Sequence, residues 1–138
     1  MPVTIGALRE SVPGENRVSL VPEVAEKFAA TGARVLIEHG AGVSAQFPDA
    51  LYKKIEWADS AAAVLAQADV LLTVQPLGLA QIAALRPGTV VIGYQQAHAR
   101  AEEVKALRDR KITGFAMEFV PRISRAQSMD ALSSQAAI

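Results

Sequence analysis

The side chains best equipped for chemistry lie in Val120-Pro121-Arg122-Ile123-Ser124-Arg125-Ala126-Gln127-Ser128-Met129-Asp130-Ala131-Leu132-Ser133-Ser134-Gln135. This stretch combines guanidinium groups, an amide, hydroxyls and a carboxylate. Asp130 can accept from an NH2 group, Arg122 can donate to a carbonyl, and Gln127 can do either. Such a set suits recognition of a neutral amide beside a ribose. None of these groups is an obvious general base or nucleophile, which fits movement of a hydride rather than a proton. The plain alternative is a polar loop running into a capped helix. Asp130 near a helix N-terminus stabilises by about 0.3–1 kcal/mol without any ligand.

Other constellations are weaker. Gly40-Ala41-Gly42-Val43-Ser44-Ala45 follows an apolar run and has G-x-G-x-x-A spacing, with Glu56 and Asp59 near the distance of a ribose-binding acid. A pyrophosphate there needs a helix N-terminus, and Pro48 falls where that helix would run. The expected structure is a tight glycine turn, with Pro48 and Asp49 opening a later short helix. His39 and His98 have no metal-ligand spacing. Ser11, Ser19 and Ser44 lack a nucleophile elbow. Arg108, Arg110 and Lys111 read as solvated charges at a helix end.

The elements that would position the loop follow from the apolar pattern. Val3–Ala7, Val35–Ile37, Val70–Val74, Thr89–Ile92 and Ile112–Ala116 are nearly continuous apolar runs, as strands covered on both faces require. Between them lie helical stretches. One opens at Pro22, with Val21, Val24, Ala25, Phe28 and Ala29 as its apolar stripe and Gly32 as its stop. Others are expected over Asp59–Gln67, Leu77–Leu85 and Ala101–Arg110. This alternation predicts an α/β fold: a three-layer open parallel sheet of about five strands with helices on both faces, a Rossmann-like or flavodoxin-like lobe. The Val120–Gln127 loop then falls beyond a strand's carboxyl end, where open α/β sheets bind ligands. A further helix is expected from Ser128, with Met129, Leu132 and Ala136 on one face. It reaches Ile138 with no stop signal, as in a chain truncated within a helix.

Composition limits the remaining classes. With 138 residues the chain suits one domain. Fourteen Lys+Arg balance fourteen Asp+Glu, which argues against a chain-wide footprint for nucleic acid. The absence of cysteine removes disulfides, thiolate metal sites and a cysteine nucleophile. No apolar run has the length of a membrane span.

Val120–Gln135 resembles the signature loop of the NAD(H)-binding component of proton-translocating nicotinamide nucleotide transhydrogenases. Ile5-Gly-Ala-Leu-Arg-Glu10, Pro13-Gly-Glu-Asn-Arg-Val18, Pro22 and Glu38-His-Gly-Ala-Gly42 are similar to the wider alanine dehydrogenase/transhydrogenase family. The resemblance implies an N-terminal lobe over residues 1–138, followed in the complete protein by a second, NAD-binding Rossmann domain. It implies an oxidoreductase in which Arg122, Gln127 and Asp130 serve hydride transfer. Arg122, Ile123, Ser124, Gln127, Asp130 and Ser133 would contact NAD(H), and no metal is involved. NADP(H) would be carried by the partner subunit, beside a membrane proton-translocating domain. The full protein would be a homodimer, cytoplasmic and peripheral to the inner membrane through its partners, and the isolated lobe inactive.

Two other readings remain open. An alanine dehydrogenase lobe would hold pyruvate with an arginine, a lysine and a histidine. Arg17 matches the arginine, but Gln75 and Gln96 stand at the other two positions, and neither supplies a charge or a proton relay. The third reading is a folding and docking module without catalysis.

Overall fold

The computed structural model describes residues 2–117. They form six parallel strands, β1 (Thr4–Ala7), β2 (Arg34–Glu38), β3 (Glu56–Ala58), β4 (Val70–Leu72), β5 (Val90–Gly93) and β6 (Thr113–Ala116), in the order β3-β2-β1-β4-β5-β6. The α/β expectation holds, with one strand more than expected. β3 escapes an apolar-run search because it is a three-residue edge strand opening on the charged Glu56.

Helices α1 (Pro22–Ala30), α2 (Ala61–Gln67), α3 (Leu79–Ala84) and α4 (Ala101–Asp109) fall where the sequence places helices. Pro22 starts α1 with its fixed φ and no N–H to lose. After the helix Gly32 takes φ +95°, where a Cβ would be strained. α2 begins later than expected because Ser60, not Asp59, caps it by accepting from the Ala63 amide at 3.2 Å. Val24 does not join the α1 stripe and is exposed; Ala25 is the residue that is buried.

The order reverses between β1 and β4. Right-handed crossovers therefore send the helices of the two halves to opposite faces. α3 touches both α2 and α4, and the three cover one face through a core that includes Leu36, Val64, Leu71, Ile82, Leu85 and Val91. On the other face α1 and the segment before it pack Val18, Leu20 and Ala25 onto Ala7, Val35 and Ile37. Arg110 is not simply solvated, because its Nε donates to the Leu85 carbonyl at 2.6 Å and ties the end of α4 to the end of α3.

Candidate functional site

At the reversal the chain leaves β1 and β4 in diverging directions, and a crevice opens at the carboxyl edge. Leu8, Glu10, Ser11, Thr73, Gln75 and Gln81 are among its lining residues. The polar groups around it form one connected set. The Glu10 carboxylate accepts from the Val74 amide at 3.1 Å and the Gln75 amide at 2.9 Å, joining the two strand ends. Gln75 Nε2 donates to Glu15 Oε1 at 2.7 Å. Arg17 closes a two-pronged pair on Glu15, with Nε and Nη2 each 2.9 Å from a carboxylate oxygen, and its backbone N–H also donates to Glu15. Ser19 Oγ donates to the Leu72 carbonyl at 2.9 Å and holds the Arg17 segment against β4.

Burial and pairing pull the two carboxylates in opposite directions. Glu15, with a side chain only 5% exposed, is lowered to about 2, first by the Arg17 hydrogen bonds and with help from Gln75. Arg17 is raised in turn by Glu15. Glu10 is raised because burial penalises its charge more than the two amides relieve it.

The sign of the Glu15 effect sets a pH window. A depressed native value stabilises above the unfolded value and is lost as pH falls from about 4.5 towards about 2. We expect Glu15→Gln to remove on the order of 1–2 kcal/mol at neutral pH, after allowance for the half-exposed Arg17. Urea unfolding at stepped pH checks this: the difference between wild type and variant shrinks towards pH 2, and a difference constant with pH contradicts it.

The Gly40–Ala45 segment folds as the turn expected of it. Gly40 has φ +80°, and Val43–Ala45 is a single 3-10 turn stopped by Gln46 at φ +68°. A Cβ on Gly42 would meet the Tyr52 hydroxyl at 2.6 Å and the Phe47 carbonyl at 2.7 Å, so this glycine faces protein, with no space for a phosphate. Asp49–Leu51, opened by Pro48, is the short helix beyond. Glu56, the ribose-acid candidate, is held by Arg34 at 2.8 Å. His39 stacks on Trp57 with ring centroids 5.0 Å apart and bonds Asp49 at 3.0 Å through Nδ1. Among the described residues no three His, Cys, Asp or Glu form a metal-holding group, and no helix is long and apolar enough to cross a membrane.

Arg122, Ile123, Ser124, Gln127, Asp130 and Ser133 lie outside the described residues, as does the expected Ser128 helix. β6 is parallel to the other strands, so its last residue, Ala116, ends on the same edge as the Glu10–Gln75–Glu15–Arg17 set. The structure brings Arg17 and Gln75 together through Glu15. Sequence reasoning missed the linking roles of Glu10 and Glu15. The only signal was their occurrence within two motif strings whose other members drew notice.

The sheet order, the reversal and the polar crevice at the carboxyl edge define an open, doubly wound, Rossmann-like α/β domain. The chain belongs to the family described as alanine dehydrogenase/PNT, N-terminal domain, whose sequence profile matches residues 6–138. It is 44% identical over 134 residues to the first part of NAD(P) transhydrogenase subunit alpha of Rhodospirillum rubrum, covering 92% of this chain and 35% of that protein. The crystal structure of a transhydrogenase from Sinorhizobium meliloti superposes with a TM-score of 0.86 at 38% identity, covering 96% of this chain and 40% of that one. An alanine dehydrogenase of Methanococcus maripaludis is 31% identical over 123 residues, covering 88% of this chain and 33% of the other. The chain thus spans about a third of the length of the curated relatives it matches.

Proposed function

We propose that residues 1–138 are the N-terminal lobe of the NAD(H)-binding component of a nicotinamide nucleotide transhydrogenase. In this reading a second, Rossmann domain of the complete protein carries the dinucleotide fingerprint. The fit to the cofactor is one-sided. The described residues offer a small polar crevice at the carboxyl edge, with hydrogen-bonding groups of the kind a carboxamide uses, and their one glycine turn of fingerprint spacing is closed against Tyr52 and Phe47. Arg122, Gln127 and Asp130 would hold the carboxamide, with Ile123, Ser124 and Ser133 beside them. Bound NADH supplies the hydride, which passes directly to an NADP+ held by a partner subunit next to a membrane proton-translocating domain. The complete protein would act as a homodimer on the cytoplasmic side of the inner membrane.

One observation carries the choice between the two branches of the family: the charge balance of the crevice. Arg17 is already neutralised by Glu15, Gln75 contributes no charge, and Glu10 adds none of the positive sign a 2-oxo acid needs. A neutral carboxamide is at no disadvantage there, whereas a pyruvate carboxylate would find Arg17 already paired and Gln75 uncharged, with Arg9 the cation left on the crevice lining. The higher identity to the transhydrogenase subunit points the same way.

The test is NADH oxidation by the complete protein. We expect no saturable oxidation with pyruvate and ammonia, and oxidation when the NADP(H)-binding partner and NADP+ are added. Saturation by pyruvate and ammonia would instead mark an alanine dehydrogenase. The isolated chain is expected to show negligible NADH binding by equilibrium titration, since among the described residues the glycine turn of fingerprint spacing leads into a single 3-10 turn and not into an α-helix that could meet a pyrophosphate.

A further inference from the structure

The crevice at the strand reversal has a floor and a rim. Leu8, Thr73 and Leu77 are buried at its base, while Arg9, Ser11 and Val12 stand exposed around its mouth. Its carboxylates are fully engaged. Both oxygens of Glu10 accept backbone amides, and both oxygens of Glu15 accept from Arg17 or Gln75. The groups left over are mainly donors. Gln81 commits its side-chain oxygen to the Gly78 amide at 2.9 Å, which leaves its NH2 group. Among the described residues the Ser11 hydroxyl and the Arg9 guanidinium have no hydrogen-bond or ion-pair partner. Glu38 lies close enough to accept from the Arg9 backbone N–H at 2.8 Å, yet it forms no ion pair with the Arg9 side chain. The guanidinium instead extends beside the turn at Gly40, with Nη1 4.0 Å from the place a Cβ would take. Gly40 has no side chain to cover it.

We propose that Arg9, with Ser11 and Gln81 on the same crevice, is the receiving site for an oxyanion of the ligand that enters there. Arg9 follows β1, where the strand order reverses, and ligands of open α/β sheets enter at that edge. A guanidinium without a carboxylate partner can offer two parallel N–H groups to two oxygens of a phosphate or carboxylate. Ser11 and Gln81 add neutral donors. Gln75 keeps its side-chain oxygen, an acceptor for a carboxamide NH2. The neutral and anionic parts of one ligand thus find different groups. Assigning the oxyanion to a phosphate of the dinucleotide rests on the transhydrogenase reading. In the alanine dehydrogenase branch the same donors would meet a carboxylate. Because the rim is exposed, salt should weaken the attraction.

The test titrates the complete protein with NADH as wild type, Arg9→Gln and Arg9→Lys. Arg9→Gln is expected to raise the NADH Kd about tenfold at low ionic strength, the scale of one charge-assisted hydrogen bond. The difference from wild type should shrink as salt is added, and Arg9→Lys should recover part of the affinity. Thermal denaturation should be alike in all three, because the Arg9 side chain bonds no other element. A second arm follows NADH oxidation with pyruvate and ammonia. Saturation by pyruvate, with a KM raised by Arg9→Gln and an unchanged NADH Kd, keeps the site and assigns it to a carboxylate; the transhydrogenase reading then falls. If Arg9→Gln changes neither the NADH Kd nor any pyruvate KM, the oxyanion site itself is overturned. A loss of affinity that salt does not moderate and Arg9→Lys does not recover overturns it as well.

Discussion

Gly93→Ala is expected to lower the stability of the chain by about 3 kcal/mol, a Tm loss of roughly 10 °C at this size. Gly93 closes β5 beside Thr73, whose amide donates to the Ile92 carbonyl at 2.9 Å. A Cβ on Gly93 would lie 2.5 Å from the Thr73 carbonyl oxygen and press on Thr73 Oγ1 as well. The hydroxyl can rotate away, but the carbonyl belongs to the strand-end backbone and cannot. Relief therefore requires β4 and β5 to separate at the carboxyl edge, next to the Val74 and Gln75 amides that hold Glu10. Thr73→Ala added to Gly93→Ala is expected to recover little, since it leaves the carbonyl in place. Gly88→Ala is the contrasting change: φ is +90° but nothing lies within 4 Å, so only backbone strain of about 1 kcal/mol is expected. Thermal denaturation of the variants checks the ranking, and an unchanged Tm for Gly93→Ala would contradict the tight β4–β5 contact.

The second large effect concerns rate. In the complete protein with its partner, Gln127→Ala is expected to slow hydride transfer about a hundredfold, the scale of an ångström-sized misplacement of reacting rings. NADH affinity should change far less, because an amide that acts when the rings meet contributes mainly in the transition state. Asp130→Ala should weaken both, since its carboxylate would orient the carboxamide in ground and transition states alike. Stopped-flow transfer measured beside equilibrium NADH titration separates the two. Wild-type rates in both variants would reduce the loop to a capped turn.

The sheet was legible because parallel strands buried on both faces leave uninterrupted apolar runs, as at Val70–Val74 and Thr89–Ile92. β3 left no such run, because an edge strand of Glu56, Trp57 and Ala58 needs only its buried Ala58 to belong. Val24 followed the helical period but faces outward, since tertiary packing and not periodicity chooses the width of the buried stripe. The turn at Gly40 was readable from Pro48 alone. The Glu10 clamp was not, because its amide partners lie 64 and 65 positions along the chain. Glu15 and Arg17, two apart, look in sequence like an ordinary loop pair; only the fold reveals that Gln75 joins them and that Glu15 is buried. The Arg122–Asp130 constellation owes its meaning to residue chemistry and family resemblance together, and it lies outside the described residues.

The most direct test of the account uses NADH carrying deuterium at the transferable C4 position, with the complete protein, its partner subunit and NADP+. The account predicts that the label appears in NADPH without exchange into water, and that pyruvate with ammonia leaves NADH unconsumed. Label delivered to alanine, or lost to solvent on the way to NADPH, would contradict it.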